Sequence, residues 1–422
     1  MPLPAAFKGL SSLVKAGQSL ATGSAQRASQ NVNSALGLPI GIDFGTGSLK
    51  VLQIAAGEPL TLVGAGCAET PDELRVDAVK RLEFQAKALV TLVKAAGFKN
   101  KRAACAIPAW ATVCKHMQLS KPDGQTLTEQ INQQLPLQMG CDAASVVHRH
   151  LDVTPPGASK PEVIVMAVSR ELIARLMQII KEAKLEPVGM HSEFLASLAA
   201  YEHIHRRAAD AQINSLYLDI GAGTTTVAIS HGKKLAFVRS IDFGGCGIDQ
   251  VLAAGLGCSL AEARKRRWAA NDAALPPSAV RTMAERAEPR GAQGTPVPER
   301  RGAGDPIPGL AVSGGAVSAT IEGVDLSEPL DILADEVRMC MRFHTTQFPS
   351  HKIERLIFLG GESRHRLVCQ HVARAVKLEG QVADPFSRIG RTGKESVTGV
   401  DLAVPQPAWA VALGVCLSPT DL

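Results

Sequence analysis

The chain has 422 residues, 45% hydrophobic and 20% charged, which excludes a single small core and a disordered chain and predicts at least two globular domains. A formal net charge of +5 is too mild to argue for a nucleic-acid partner, and with 4% aromatic residues the cores must be built from Ala, Val, Leu and Ile. Nine scattered cysteines without a C-x-x-C pair argue against a zinc site or disulfide framework and for a reducing compartment, and no apolar run approaches the 18 residues of a membrane span.

Residues 1–38 are rich in Ala, Ser, Gly and Gln and carry Lys8, Lys15 and Arg27, but no acid precedes Asp43. Phe7, Leu10, Leu13 and Val14 recur at helical spacing, so the stretch reads either as a frayed tail or as a short basic helix touching anionic lipid or a partner through residues 1–37. Residues 38–55 predict two strands around a glycine loop, with a third strand near 60–66. A helical pattern follows over 73–96, then the apolar strand KRAACAIP, 101–108, stopped by Pro108. The next segment predicts a helix at TEQINQQLPLQM, strands near 145–153 and 162–168, and an amphipathic helix over 170–184. The strand EPVGMHS and a helix over 193–207 return to the first core.

The second half opens with SLYLDIGAGTTTVAIS, then KKLAFVRSIDF, then a glycine-rich turn with a helix beginning near Asp249. That repeats the order seen after residue 38. Residues 271–320 hold seven prolines among many Gly, Ala and Arg residues and predict a loosely packed, mostly disordered insertion. A helix over 328–346, the strand RLIFLGG, 355–361, a helix to about 378, a short strand near 380–383 and the apolar patch PAWAVALGVCL, 407–417, close the chain.

The chemistry rests on a phrase written twice. IGIDFGTGSLK, 40–50, and LYLDIGAGTTT, 216–226, each run from an apolar strand through Asp to Gly-x-Gly and hydroxyl residues, with Asp43 and Asp219 176 residues apart. In each loop the glycines, Gly45 and Gly47 and then Gly221 and Gly223, let the backbone present N–H groups to an anion. Thr46 and Ser48, and in the second copy Thr224 and Thr225, add hydroxyl donors, and Lys50 adds charge. Two carboxylates facing one crevice suit Mg²⁺ held through water. Neither copy is a P-loop or a Rossmann fingerprint, because a strand rather than a helix follows. One copy alone would read as a hairpin turn; two at domain-sized separation favour a shared phosphate ligand. A third element, Gly360-Gly361 at the end of an apolar strand, lets a flat ring or ribose approach the backbone.

Taken in this order, the three elements resemble the actin-like ATPase superfamily, and within it the PilM family of type IV pilus assembly. The phrases KRAACAIP, VIVMAVSRELIARLMQIIKEAKLEPVGMHSEFLASLAAYE, GGCGIDQVLA, QFPSHKIERLIFLGGESR and PAWAVALGV carry the likeness, over about 38–270 and 326–418. The resemblance implies an α/β fold of two RNase H-like (actin-like) domains around a nucleotide cleft, with an FtsA/PilM-type inserted subdomain. Its expected boundaries are a basic tail to residue 38, a first core over 39–108, the insertion over 109–192 and an interdomain helix over 193–213. The second core then spans 214–260, a small subdomain 261–345, the rest of the second core 346–404, and a C-terminal helix over 405–422 returns to the first.

The same resemblance implies ATP with Mg²⁺ at Asp43 and Asp219, and an adenosine loop at Gly360 and Gly361. In its third place, Glu362 either hydrogen-bonds ribose or amine or crowds and repels the nucleotide. Glu262 and Lys265 are the expected adenosine contacts from a helix, against the reading of a solvated Arg-rich helix. Glu193 either orients an attacking water or is a carboxylate favoured by a helix N-terminus. The implied role is a scaffold at the inner membrane that binds the cytoplasmic tail of a PilN-type protein and other platform or motor proteins, with slow or absent ATP hydrolysis and self-association left open. An FtsA-like cytoskeletal element is an alternative, disfavoured because no amphipathic membrane helix follows PAWAVALGVCLSP. A sugar-kinase-type phosphotransferase is another, disfavoured because no second acidic motif lies between the halves. The histidines read as solvated or structural.

Overall fold

The computed structural model describes residues 37–120, 124–140, 142–202, 212–273, 309–312 and 318–420. The basic tail before residue 37 and most of the Pro-rich insertion lie outside the described residues.

In chain order, β1 (Ile40–Phe44), β2 (Ser48–Ala55) and β3 (Thr61–Glu69) form an antiparallel meander. Helix α1 (Ala78–Ala95) follows, its first N–H groups taken by the Asp77 side chain through Val79 and Lys80. Its start lies a turn later than 73 because a short 3₁₀ turn, Asp72–Leu74, intervenes. Strand β4 (Arg102–Ile107) then pairs parallel with β1. The chain leaves this sheet for β5 (Val113–Gln118), α2 (Leu127–Met139), β6 (Val146–Asp152) and β7 (Glu162–Ser169). Thr126 and Glu129 close a reciprocal capping box on α2, and Gly140 at φ 64° ends it. Helix α3 (Arg170–Glu182) and β8 (Glu186–Ser192) return, and β8 pairs parallel with β4.

Helix α4 (Glu193–Ala199) crosses to the second half. There β9 (Asn214–Ile220), β10 (Thr225–His231) and β11 (Lys234–Ile241) repeat the meander, followed by α5 (Gly245–Leu256) and α6 (Leu260–Ala273). After β12 (Gly309–Val312) and the small hairpin β13 (Thr320–Ile321) and β14 (Val324–Asp325) come α7 (Ser327–Gln347), β15 (Arg355–Leu359), α8 (Arg366–Val376) and β16 (Gly380–Ala383). Strand β17 (Ser396–Thr398) and helix α9 (Ala410–Leu417) end the fold.

The two large sheets have the same plan. The first runs β17-β3-β2-β1-β4-β8 and the second β11-β10-β9-β15-β16-β12. In each, a three-stranded meander is extended from its first strand by two parallel strands. Strands β1 and β15, apolar apart from Asp43 and Arg355, sit in the middle and are buried on both faces. One cluster joins the halves: Leu52 and Ile54 of the first sheet pack with Tyr217, Ala228 and Leu359 of the second around Trp409 and α9. Helix α9 is apolar all round because it is covered all round. Gly414 lies so close to α4 that a Cβ would meet Ala196 O, and Gly41 admits the Ala412 carbonyl at a virtual 2.3 Å. This sandwich fixes the two glycine loops opposite one another.

Several expectations change. The inserted sheet, β5-β7-β6, spans 113–169, whereas 170–192, expected within the insertion, belongs to the first sheet. Leu176, Ile179 and Ile180 of α3 share a core with Ile40, Ile42 and Leu89. Strand β5 had no counterpart in the sequence reading. Residues 309–312, expected to be loose, form an edge strand antiparallel to β16. Residues 396–398, expected in the second core, pair with β3 of the first. Helix α5 starts at Gly245 rather than near Asp249. Helix α4 ends at Ala199, and the rest of the helix expected to 207 falls partly outside the described residues.

Candidate functional site

Each glycine loop is anchored from behind by its carbonyls. In the first, Gly45 O accepts from Gln85 Nε2 at 2.7 Å and Gly47 O from the Thr70 N–H at 3.0 Å. In the second, Gly221 O accepts from the Gly245 N–H at 3.0 Å and Ala222 O from the Cys246 N–H at 2.7 Å, both at the start of α5. These bonds fix the carbonyls of both loops, and the Gly221 N–H is spent on Thr224 O at 2.9 Å. The loops meet across that cleft. A Cβ on Gly223 would lie 3.0 Å from Thr46 Cγ2, and one on Gly47 would lie 3.1 Å from Ala222 Cβ. Close approach is therefore what demands glycine at these two positions. Thr46, Ser48 and Thr224 stay partly exposed at the cleft. Thr225, expected as a donor to phosphate, is fully buried and gives its hydroxyl to Phe243 O at 2.8 Å.

Below the loops lies a carboxyl cluster. Asp43 sits directly across the β1–β2 ladder from Lys50, and their side chains pair at 2.9 Å with both residues buried. Burial works against the Lys50 charge, but Asp43 and its neighbours outweigh it and hold the pKa above its ordinary value. Asp219 is backed by Ser197 Oγ at 3.4 Å, and Gly360 at φ 83° comes so close that a Cβ there would lie 2.4 Å from Asp219 Oδ1. Burial, then repulsion from Asp43, pushes the Asp219 carboxyl up, with Lys50 pulling the other way. Glu193, the first residue of α4, accepts the Ala109 N–H at 2.6 Å. Burial, then Asp219 and Asp43, raises its carboxyl as well.

Three acids thus share one ammonium. Each raised carboxyl would be relieved by a nearby cation, and the sparse carboxylates fit an ion that keeps its waters, as Mg²⁺ does. Among the described residues no group of three or more His, Cys, Asp or Glu side chains converges to ligate an ion directly. The cleft opens outward into a cavity of about 560 Å³ lined by Thr46, Arg75, Gly223, Gly244 and Cys246, with Glu328 on the far wall.

The third element, Gly360-Gly361, lies where expected beside the second loop, at the end of β15 next to the end of β9. Its neighbourhood differs from the expectation in three residues. Glu362 is buried, 5% exposed, and Arg267 is wholly buried. Arg267 Nη1 donates to Glu362 Oε2 at 2.7 Å, while Nε and Nη2 hold both oxygens of Asp249 at 2.6 and 3.3 Å. Burial works against the Arg267 charge, yet Glu362 and Asp249 raise its pKa, and burial raises the Asp249 carboxyl despite Arg267. Glu262 and Lys265, the expected contacts from α6, point elsewhere. Glu262 pairs with Arg266 at 2.9 Å, which also reaches Glu322, and Lys265 is exposed. Both lie on the solvated side of the helix. Arg264 reaches across the cleft to Asp72 at 3.4 Å, tying the two halves together. Arg267 and Asp249 were not singled out from sequence. The available signal was the place of Arg267 one turn after buried Ala263, on the inward stripe of α6.

Residues 41–278 match the family model described as type IV pilus assembly protein PilM, more than half of the chain. Among solved structures, a PilM–PilN type IV pilus biogenesis complex is similar at 19% identity over 90% of this chain and 98% of that one, with a TM-score of 0.66. The ethanolamine utilization protein EutJ from Carboxydothermus hydrogenoformans is similar at 14% identity over 90% and 89%, with a TM-score of 0.45. At these identities the first likeness speaks for the fold alone, and the second carries no weight. No curated protein matches the chain.

Proposed function

Because the chain belongs to the family of type IV pilus assembly protein PilM, we propose that it serves as an actin-like, ATP-binding scaffold of a pilus-assembly platform. The observation that carries the nucleotide part is the meeting of two loops of one design, with Asp43 and Asp219 behind them, in a cleft between two sheets that share a meander extended by two parallel strands. The loops would hold the phosphates through their amides and the hydroxyls of Thr46, Ser48 and Thr224. Asp43 and Asp219 would hold Mg²⁺ through water, and the ion would offset the charge of the phosphates. Turnover is slow or absent in this reading. Glu193 already accepts the Ala109 N–H, so its carboxyl is committed to a backbone donor and not free to orient an attacking water.

The partner in this reading is the cytoplasmic tail of a PilN-type membrane protein, received on the side of the inserted sheet, which would set the scaffold against the inner membrane. In this reading the partner supplies a membrane contact, and no helix among the described residues is long and apolar enough to cross a bilayer. Calorimetry with ATP and Mg²⁺ tests the cleft: binding should vanish with EDTA and weaken at least tenfold in Asp219→Ala. Equal affinity in both proteins would sink the two-loop site. Fluorescence anisotropy with a labelled PilN-type tail peptide tests the partner, and no binding up to millimolar protein would sink that half of the reading.

A further inference from the structure

Ligands of open α/β sheets enter outside the carboxyl ends of parallel strands where the chain order reverses. In the second sheet that point lies between β9 and β15, because β9 continues to β10 on one side while β15 continues to β16 on the other. The crevice there is bounded by the Gly360-Gly361 turn, the start of α5 and the inner face of α6. It is filled by this chain's own side chains. A Cβ on Gly245 would lie 2.3 Å from the Glu362 carboxyl, so the bare face of that glycine is already covered. Behind Glu362, Arg267 spends Nε and both Nη groups on Glu362 and Asp249. The end of α6 is laced to the same turn, with Asn271 accepting the Arg366 N–H at 2.9 Å.

We infer that the Asp249–Arg267–Glu362 network occupies the place a nucleoside would take, so that the cleft binds Mg²⁺-polyphosphate through its two loops without reading the base. The inference rests on the proposed phosphate site and narrows its ligand class to nucleoside triphosphates of any base and to inorganic polyphosphate. A base could enter only by expelling a buried carboxylate from its guanidinium. Leaving such a charge unpaired costs on the order of a hundredfold or more in affinity, more than contacts to one ring return.

The test is calorimetry on the full chain with Mg²⁺ and, in turn, ATP, GTP and tripolyphosphate. The expected dissociation constants agree within about threefold. ATP binding about tenfold or more tighter than both others would overturn the inference while leaving the phosphate site standing. Binding of none of the three would remove the phosphate site and the inference with it. Glu362→Ala opens the crevice, and Arg267 keeps both bonds to Asp249, so the fold should persist by circular dichroism. It should gain about tenfold preference for purine nucleotides over tripolyphosphate. Glu362→Gln, which keeps the shape, should gain none. A Glu362→Ala protein that melts like the wild type yet gains no preference would overturn the assignment of Glu362 as the occupant.

Discussion

The two glycine loops share a backbone design and differ in charge. In both hairpins the residue seven places after the aspartate lies directly across the ladder from it: Lys50 opposite Asp43, and Thr226 opposite Asp219. The first loop is therefore internally neutralised by a buried pair at 2.9 Å. The second has only the weak Ser197 contact at 3.4 Å and the close backbone of Gly360. A repeated fold motif fixes where a carboxyl sits, while one cross-strand residue decides whether a cation stands beside it. The cleft consequently has one carboxyl beside an ammonium and another whose pKa burial and Asp43 raise.

The largest expected effect comes from making the first loop like the second. Lys50→Met leaves Asp43 buried without a cation, next to two other carboxyls, and should cost about 3–4 kcal/mol of unfolding free energy at neutral pH. Urea denaturation reads this directly. The loss should shrink in acid, where Asp219 and Glu193 take up protons. A cost below about 1 kcal/mol would mean that Asp43 is served by water instead, and the contrast between the loops would fall.

How much of this was written in the sequence depends on the range of the interaction. The paired phrases, the meanders and the order of the three glycine elements are local, and the seven-place offset to Lys50 or Thr226 follows from hairpin geometry alone. The buried network could not be read the same way. Arg267 stands in the run Arg264-Lys265-Arg266-Arg267, and charge runs on helices are usually solvated. What buries it is Glu362, 95 positions later. Edge strands hid for the same reason. Gly309–Val312 is a strand only because β16 offers it a partner, and Val113–Gln118, with Lys115 and His116 in it, shows no apolar alternation until β7 pairs with it. Glu193 carried its place at the helix start in the sequence, but its tether to Ala109 belongs to the folded chain.

The second loop is shaped by Gly360, so the next prediction sharpens the comparison from its other side. Gly360→Ala must put a Cβ into the Ile220 carbonyl and the Asp219 carboxyl from a left-handed backbone, at a cost of about 2–3 kcal/mol. Gly361→Ala, whose Cβ would meet only Ala408 at 3.9 Å, should cost within about 0.5 kcal/mol of nothing. Equal melting temperatures for the two variants would show that Asp219 is not held by this turn.

The smallest effect carries the contrast itself, through pH. Because the folded-state pKa of Asp219 is raised, the folded chain holds a proton that the unfolded chain has released over the window from the ordinary carboxyl value up to the folded one. Below that window Asp219 costs nothing. As pH rises through it, stability falls, and above it the full cost is felt. Asp219→Asn removes the titration, so it should be more stable than the wild type at neutral pH by roughly 1–2 kcal/mol and show a flatter profile between acid and neutral pH. Asp43→Asn should do the reverse, because it strips the buried Lys50 ammonium of its partner. Denaturation of both proteins across that pH range decides the matter. Opposite signs are what a neutralised loop facing an unneutralised one requires, and the same sign in both variants would make the two loops electrostatic equals.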